Sequence, residues 1–285
     1  MLSIVDNHRF RRLFYDVLDS NPTQTDVTRF FQRFRAALDA HGLKLAGVTT
    51  DGSPLYPAVL AQVFGDATHQ LCQFHVLKEI NRAILKTVAQ VRREQRQRQP
   101  QLARGRPRAG AAQTAARRKQ RWEKKIAALF DHRYLFVQRS LTPAEHQTLR
   151  RITRGFPLLR TLRTIADEVY RLFDRRCRTE TALERLARLR RRVQRFKGLR
   201  KALQKFYTPN IEKALVFLDD ALLPSTSNAV ERGNRRHRKM QQSIYSVRTR
   251  AHVSQRIAVD MQREAQAAGR AQTTQCLHGQ RSNSR

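Results

Sequence analysis

The sequence predicts an α/β protein with a partly parallel sheet, interrupted by a large all-helical segment. Over the first 91 residues, short apolar runs of strand length alternate with amphipathic helical stretches, the pattern of strands joined by crossover helices. From Arg92 the composition turns basic, and residues 122–206 read as helix throughout. A final helical stretch follows Pro224-Ser225-Thr226-Ser227.

Taken in order, Leu2-Ser3-Ile4-Val5 has strand composition, Asp6-Asn7-His8 supplies turn chemistry and Leu13 to Leu18 forms a return strand, so residues 2–19 make a β-hairpin. Asn21-Pro22-Thr23 ends the hairpin and opens a helix. On it Val27, Phe30, Phe31, Phe34 and Leu38 recur at helical spacing, and Gly42 provides the stop. Leu43 to Thr50 is a short apolar strand ending at Asp51-Gly52. Pro54 suits the first turn of a short helix reaching Phe64. After a turn at Gly65-Asp66, His69 to Phe74 reads as another strand. Val76-Leu77, Ile80, Ile84-Leu85 and Val88 then form an amphipathic helix.

Residues 92–121 carry eleven basic residues against one acid, Glu94. Arg92, Arg93, Arg104, Arg106, Arg117, Arg118 and Lys119 are the candidate nucleic-acid contacts there, and the Gln, Gly, Pro and Ala between them predict a flexible basic linker. In the helical region, Thr142-Pro143 with Glu145 is a helix start and Gly155-Phe156-Pro157 separates two helices. Residues 182–206 form a basic helix or helix pair broken at Gly198. The last helical stretch runs through Glu231 and past Val259, and the polar end of the chain, residues 265–285, reads as a disordered tail.

Charge narrows the function classes. Lys and Arg number 57 against 23 Asp and Glu, a net charge of +34. Such a surplus repels itself and calls for a polyanionic partner, usually nucleic acid. A membrane is not expected as that partner: there is no apolar run near the ~20 residues of a spanning helix, nor a basic amphipathic helix with an aromatic belt. Cys72, Cys177 and Cys276 are far apart, which fits a reducing compartment, and the short apolar start Met1–Val5 lacks the form of a signal peptide. The expected location is the cytoplasm.

Two carboxylates stand out. Asp51 closes a buried strand, where ligands of open α/β sheets bind and where a carboxylate can hold a divalent metal. It can equally be a turn residue, because Asp-Gly is a common turn pair. Glu231 shares one helix face with Asn228, Asn234 and Arg238, which would bring a carboxylate, two amides and a guanidinium to one site. Asn228 and Glu231 also have the spacing of a capping box. The run His69-x-x-Cys72-x-x-His75 falls one ligand short of structural zinc, and a structural Cys with a helix-start His is the expected reading. Trp122 and the scattered Phe residues read as core rather than as base-stacking platforms.

Val48-Thr49-Thr50-Asp51-Gly52-Ser53-Pro54-Leu55-Tyr56-Pro57, then His69-Gln70-Leu71-Cys72-Gln73-Phe74-His75, then Ser227-Asn228-Ala229-Val230-Glu231-Arg232 resemble bacterial insertion-sequence transposases of the acidic-triad (DDE) type. The likeness is to the broad group with Mutator-like elements. It covers residues 2–91 and 207–262, and the helical middle corresponds by position and composition only. It implies an RNase H-like mixed sheet interrupted by a helical insertion. The organisation would be 1–91 and 207–264 as the two parts of the core, 92–121 as linker, 122–206 as insertion and 265–285 as tail. Residue by residue, Asp51 matches the second acid, Glu231 the third, and Cys72 with His75 the C-x-x-H pair. The implied chemistry is cleavage and strand transfer of DNA with Mg²⁺ or Mn²⁺ held by Asp51 and Glu231, by a homodimer or higher multimer on paired DNA ends in the nucleoid. The fold opens with three antiparallel strands, the first bearing the first acid, and only two precede Pro22 here. Asp6 sits at the second-strand position and is a poor substitute. The resemblance therefore implies an N-terminally truncated core, inactive alone with its first strand missing. A non-catalytic basic nucleic-acid-binding protein is the competing class, separated from the first by dependence on divalent metal.

Overall fold

The chain first reverses at Asp6, whose carboxylate accepts the backbone N–H groups of His8 and Arg9 at 2.7 and 3.4 Å. The turn joins β1 (Leu2–Asp6) to β2 (Arg11–Asp16) in antiparallel register, Leu2 opposite Asp16 and Asp6 opposite Arg11. The expected hairpin thus forms, and Asp6 serves its turn. This is seen in a computed structural model, which describes residues 1–99, 109–194, 209–241, 249–269, 272–273 and 275–276. Helix α1 (Gln24–Asp39) starts at a capping box: the Thr23 hydroxyl accepts the Asp26 N–H while the Asp26 carboxylate accepts the Thr23 N–H. It buries Val27, Phe30, Phe31 and Phe34 and ends before Gly42, whose φ of +65° suits a residue without a Cβ. Phe14 of β2 meets Phe30 and Phe34 at ring-centroid distances of 5.3 and 5.8 Å.

β3 (Gly47–Thr50) and β4 (Thr68–Leu71) pair in parallel, Gly47 opposite Thr68 and Thr50 opposite Leu71. Helix α2 (Tyr56–Val63) is part of their connection. Both strands are shorter than the apolar runs suggested. β4 stops at Leu71 because α3 (Gln73–Gln97) begins two residues later. Beyond the Ala46 carbonyl, which accepts the Thr68 N–H at 3.0 Å, the four-residue partner gives 43–45 nothing to pair with, and Leu43 is 55% exposed. Pro57, not Pro54, occupies the first turn of α2. Among the described residues the strands form two separate two-stranded sheets, and the protein is mixed α/β with mostly helices.

The chain divides into two compact units, Met1–Cys72 with Asp220–Arg285, and Gln73–Asp219. Helix α3, expected with the N-terminal core, belongs to the second. That unit continues through α4 (Ala109–Asp131), a 3₁₀ turn (Arg133–Phe136), α5 (Pro143–Ile152), α6 (Pro157–Leu172), α7 (Thr179–Gln194) and the short α8 (Pro209–Lys213). Of the expected flexible linker, the described parts lie mostly in α3 and α4. Trp122 of α4 donates its indole N–H to the Gln95 carbonyl at 3.0 Å, and Gln99 donates to Glu123 at 2.6 Å. These contacts join α3 to α4. Arg104 and Arg106 lie outside the described residues, as does the break at Gly198. Thr142 and Glu145 form the expected capping box of α5, and Gly155 (φ +82°) separates α5 from α6. The core holds Ile80, Ile84, Leu129, Phe136, Leu159, Leu162 and Ile165. Trp122 is half-buried, whereas Phe74, Phe130 and Tyr134 are exposed, so not every aromatic ring is core.

In the first unit the C-terminal stretch forms two helices, α9 (Asn228–Gln241) and α10 (Arg250–Ala265), rather than one run. α9 packs on β1 and α10 on β2, where the Tyr15 hydroxyl donates to the Ser254 carbonyl at 3.0 Å. The expected disordered tail is corrected at its start: Ala267 and Thr273 are buried, and the Thr273 hydroxyl donates to the Arg9 carbonyl at 3.1 Å.

Candidate functional site at the strand ends

β3 and β4 present their carboxyl ends side by side. Asp51 follows β3, Cys72 follows β4, and the Cys72 N–H donates to the Thr50 carbonyl at 2.8 Å. Asp51 is half-buried, and its Oδ1 accepts the Ser53 N–H at 3.0 Å. The turn role foreseen for Asp51 is therefore real, but among the described residues it engages one carboxylate oxygen only. Tyr56 lies within its field. Burial first, and then the Asp51 charge, push the phenol up to about 12, so Tyr56 stays a neutral hydrogen-bond donor at physiological pH.

A strap from Asp220 to Ser227 carries the second carboxylate to the same strand ends. Leu223 packs on Gly47, where a Cβ would sit 2.6 Å from Leu223 Cδ2. The Thr49 hydroxyl donates to the Pro224 carbonyl at 3.0 Å, and the Ser227 N–H donates to Cys72 Sγ at 3.3 Å. The Ser227 carbonyl then accepts the Glu231 N–H at 3.2 Å, which makes Ser227 the cap of α9. A capping box between Asn228 and Glu231 would need Asn228 in that place. It does not occur, and Asn228 is exposed in the first turn. Glu231 is half-buried, one turn beyond the bond to Cys72. Three residues on, Asn234 Oδ1 is buried with no hydrogen-bond partner among the described residues. Arg238, a further turn along, is exposed.

The C-x-x-H pair is divided: Cys72 closes the first unit and His75 lies in the first turn of α3, in the second. His69 Nε2 is hydrogen-bonded to the Thr50 hydroxyl at 2.8 Å. Among the described residues, no three His, Cys, Asp or Glu side chains gather to hold a metal by themselves.

Behind the site, an unforeseen ionic cluster fixes α9. The buried Arg12 guanidinium donates to His237 Nε2 at 2.8 Å, and Arg12 N–H donates to Glu264 Oε2 at 2.8 Å. Arg has only donors, so His237 must accept through Nε2. Asp260 Oδ2 lies 3.9 Å from the same nitrogen, and Arg256 Nε lies 3.9 Å from Asp260 Oδ1. Gly233 makes room, since a Cβ there would lie 2.6 Å from Arg12 Nη2. Contacts spanning 225 and 252 residues leave no local pattern in the chain.

Of the candidate nucleic-acid contacts, Arg93, Arg117 and Arg118 are exposed and Lys119 is half-buried. Arg92 lies over the Phe130 ring at 4.7 Å.

The sequence model of the ISL3 transposase family, described as transposase, matches residues 3–257. No curated protein and no solved structure matches the chain. Among the described residues, no helix is long and apolar enough to cross a membrane. The chain belongs to this family of insertion-sequence transposases, and its role is in DNA transposition with DNA as substrate. The group differs from the Mutator-like one of the sequence resemblance.

Proposed function

We propose, from that membership, that the strand-end cluster is the catalytic centre of a DDE transposase, with Asp51 and Glu231 as two of its acids. The two sheets would be parts of an RNase H-like core and Gln73–Asp219 its helical insertion. One observation carries the reading: the Ser227 N–H on Cys72 Sγ starts the Glu231 helix at the same strand ends that Asp51 occupies.

The donors fit a hard divalent ion in kind. Two carboxylates and the partnerless Asn234 Oδ1 are oxygen ligands, and Mg²⁺ is commonly held by one or two carboxylates with substrate phosphates and water completing its shell. Asp51 and Glu231 would hold Mg²⁺ or Mn²⁺, which when bound supplies charge neutralisation at the attacking and leaving oxygens. The chain's own residues keep both carboxylates oriented. Ser53 holds one oxygen of Asp51, Tyr56 stays neutral beside it, and the strap sets the start of the Glu231 helix. DNA ends paired by a multimer are the expected substrate.

Titration with Mn²⁺, followed by electron paramagnetic resonance in the presence of DNA, tests this. Saturable binding that Asp51→Asn and Glu231→Gln each weaken at least tenfold supports it. Binding unchanged in both, with DNA affinity intact, would make the chain a basic DNA-binding protein with structural carboxylates.

A further inference from the structure

We propose that the second unit carries a binding groove for unpaired DNA bases, formed by α3, α4 and the 3₁₀ turn after it. This deepens the transposase reading by naming the form of DNA bound. Helix α3 has two apolar rows. Ile80, Ile84 and Val91 are buried in the core. Phe74, Leu77 and Leu85 instead line a groove of about 730 Å³ that also takes in Phe130. From Phe74 to Arg92 it follows α3 for about 27 Å.

The groove offers aromatic faces and positive charge together. Of its lining, Phe74 is 47% and Phe130 45% exposed, and at its rim, across Arg133, Tyr134 is 57% exposed. The Arg133 guanidinium lies 4.2 Å from the Phe130 ring centroid and 4.5 Å from that of Tyr134, with Arg92 at 4.7 Å from Phe130. Rings and guanidinium planes thus alternate at the surface. Lys78, Arg82, Lys86, Arg92 and Arg133 line the groove, and no Asp or Glu does. None of the five is paired with a carboxylate among the described residues.

This combination selects the occupant. A second copy docked directly here would set another strongly basic chain against the five cations of the groove with no DNA between them. A duplex offers phosphates but keeps its base faces stacked, so the exposed rings would gain nothing from it. An unpaired strand offers both, because bases stack on aromatic and guanidinium planes while phosphates meet the cations.

The experiment is fluorescence anisotropy with the full chain in EDTA, at about 0.3 M salt to screen general phosphate attraction. Three probes of equal length are compared: a thymine single strand, the same strand with abasic positions, and a duplex. Tyr134→Ala and Phe74→Ala should each weaken binding of the intact strand roughly 5- to 150-fold and leave duplex binding within about twofold. Wild type should bind the abasic strand as weakly as the variants bind the intact one. Tyr134→Phe keeps the ring and should keep the affinity, which separates stacking from misfolding. Equal losses on strand and duplex, no loss at all, or a wild-type dimer that the variants abolish would overturn the proposal. No metal is present, so failure here leaves the roles of Asp51 and Glu231 untouched.

Discussion

The two units bury polar groups in opposite ways. The first is assembled from both ends of the chain. At its centre Arg12, His237, Asp260 and Glu264 are all buried, and the hydrogen bonds of Arg12 span 225 and 252 residues. The second is contiguous. Its buried Arg163 is satisfied nearby, by Asp167 one helical turn on and by the carbonyls of Leu135 and Gln138 at 2.8 and 2.7 Å. A unit closed by a few distant ionic contacts is specific in geometry but costly to disturb. A unit of helices meeting their neighbours in sequence forms from local contacts. The proposed metal chemistry lies in the first, and the proposed base groove in the second.

Arg12→Ala should give the largest effect. It removes the buried guanidinium that donates to His237 while the backbone N–H of residue 12 keeps its bond to Glu264; loss of one member of a buried charged cluster typically costs about 3–5 kcal/mol. Trp122, the chain's one tryptophan, lies in the second unit and reports on that unit alone. Hydrogen exchange in β1, β2, α9 and α10 should accelerate while the denaturation curve from Trp122 fluorescence stays in place. Equal shifts of both signals would mean that the units unfold together.

Next in size is Gly47→Ala, where the new methyl meets Leu223 Cδ2 at 2.6 Å and the Thr68 carbonyl at 3.2 Å. Overpacking of this kind costs about 1–3 kcal/mol. The displaced strap should also weaken Mn²⁺ binding, whereas an unchanged Mn²⁺ affinity would show that the strap does not place Glu231. Gly233→Ala is subtler. In an ordinary helix interior the change gains about 1 kcal/mol. Here it meets Arg12 Nη2, so we expect a net loss of about 1 kcal/mol, turning into a gain when Arg12 is already Ala. A double-mutant cycle reads that change of sign, and additive effects would remove Arg12 from the account of α9.

What was legible in the sequence follows the same division. Local chemistry could be read: the hairpin turn at Asp6, the helix opened at Thr23, the start at Thr142-Pro143 and the stop at Gly155. Asp51 at a strand end and Glu231 on a helix were also visible as candidates. Features set by distant partners were not. β3 ends where its partner β4 is cut short by α3, and α4 forms on Trp122 and Glu123 contacts to α3 rather than on composition. The Asn228–Glu231 capping box failed by a single residue, because Ser227 is the residue held by Cys72. Arg12 and His237 looked like two more basic residues in a chain full of them.

The smallest predicted effect should be alike in the two units, because in both it is local. Asp26 in the first and Glu145 in the second each close a capping box. The Thr23 hydroxyl and then its N–H hold the Asp26 carboxyl below its ordinary 3.8, and chiefly the Thr142 N–H holds Glu145 below its ordinary 4.5. A carboxyl depressed in the folded state contributes stability that is fully present above its ordinary value and is lost as pH falls through the depressed one. The first turns of α1 and α5 should therefore fray together in acid, seen as loss of amide protection at Asp26 and Glu145 below those ordinary values. Thr23→Ala and Thr142→Ala should each flatten that pH dependence in its own helix only. Both residues are only half-buried and their partners are local, so the effect is small and does not spread. If acid instead releases α1 together with α9 and α10 while α5 keeps its protection, the cap of α1 is tied to the long-range ionic cluster, and the local character assigned to it is wrong.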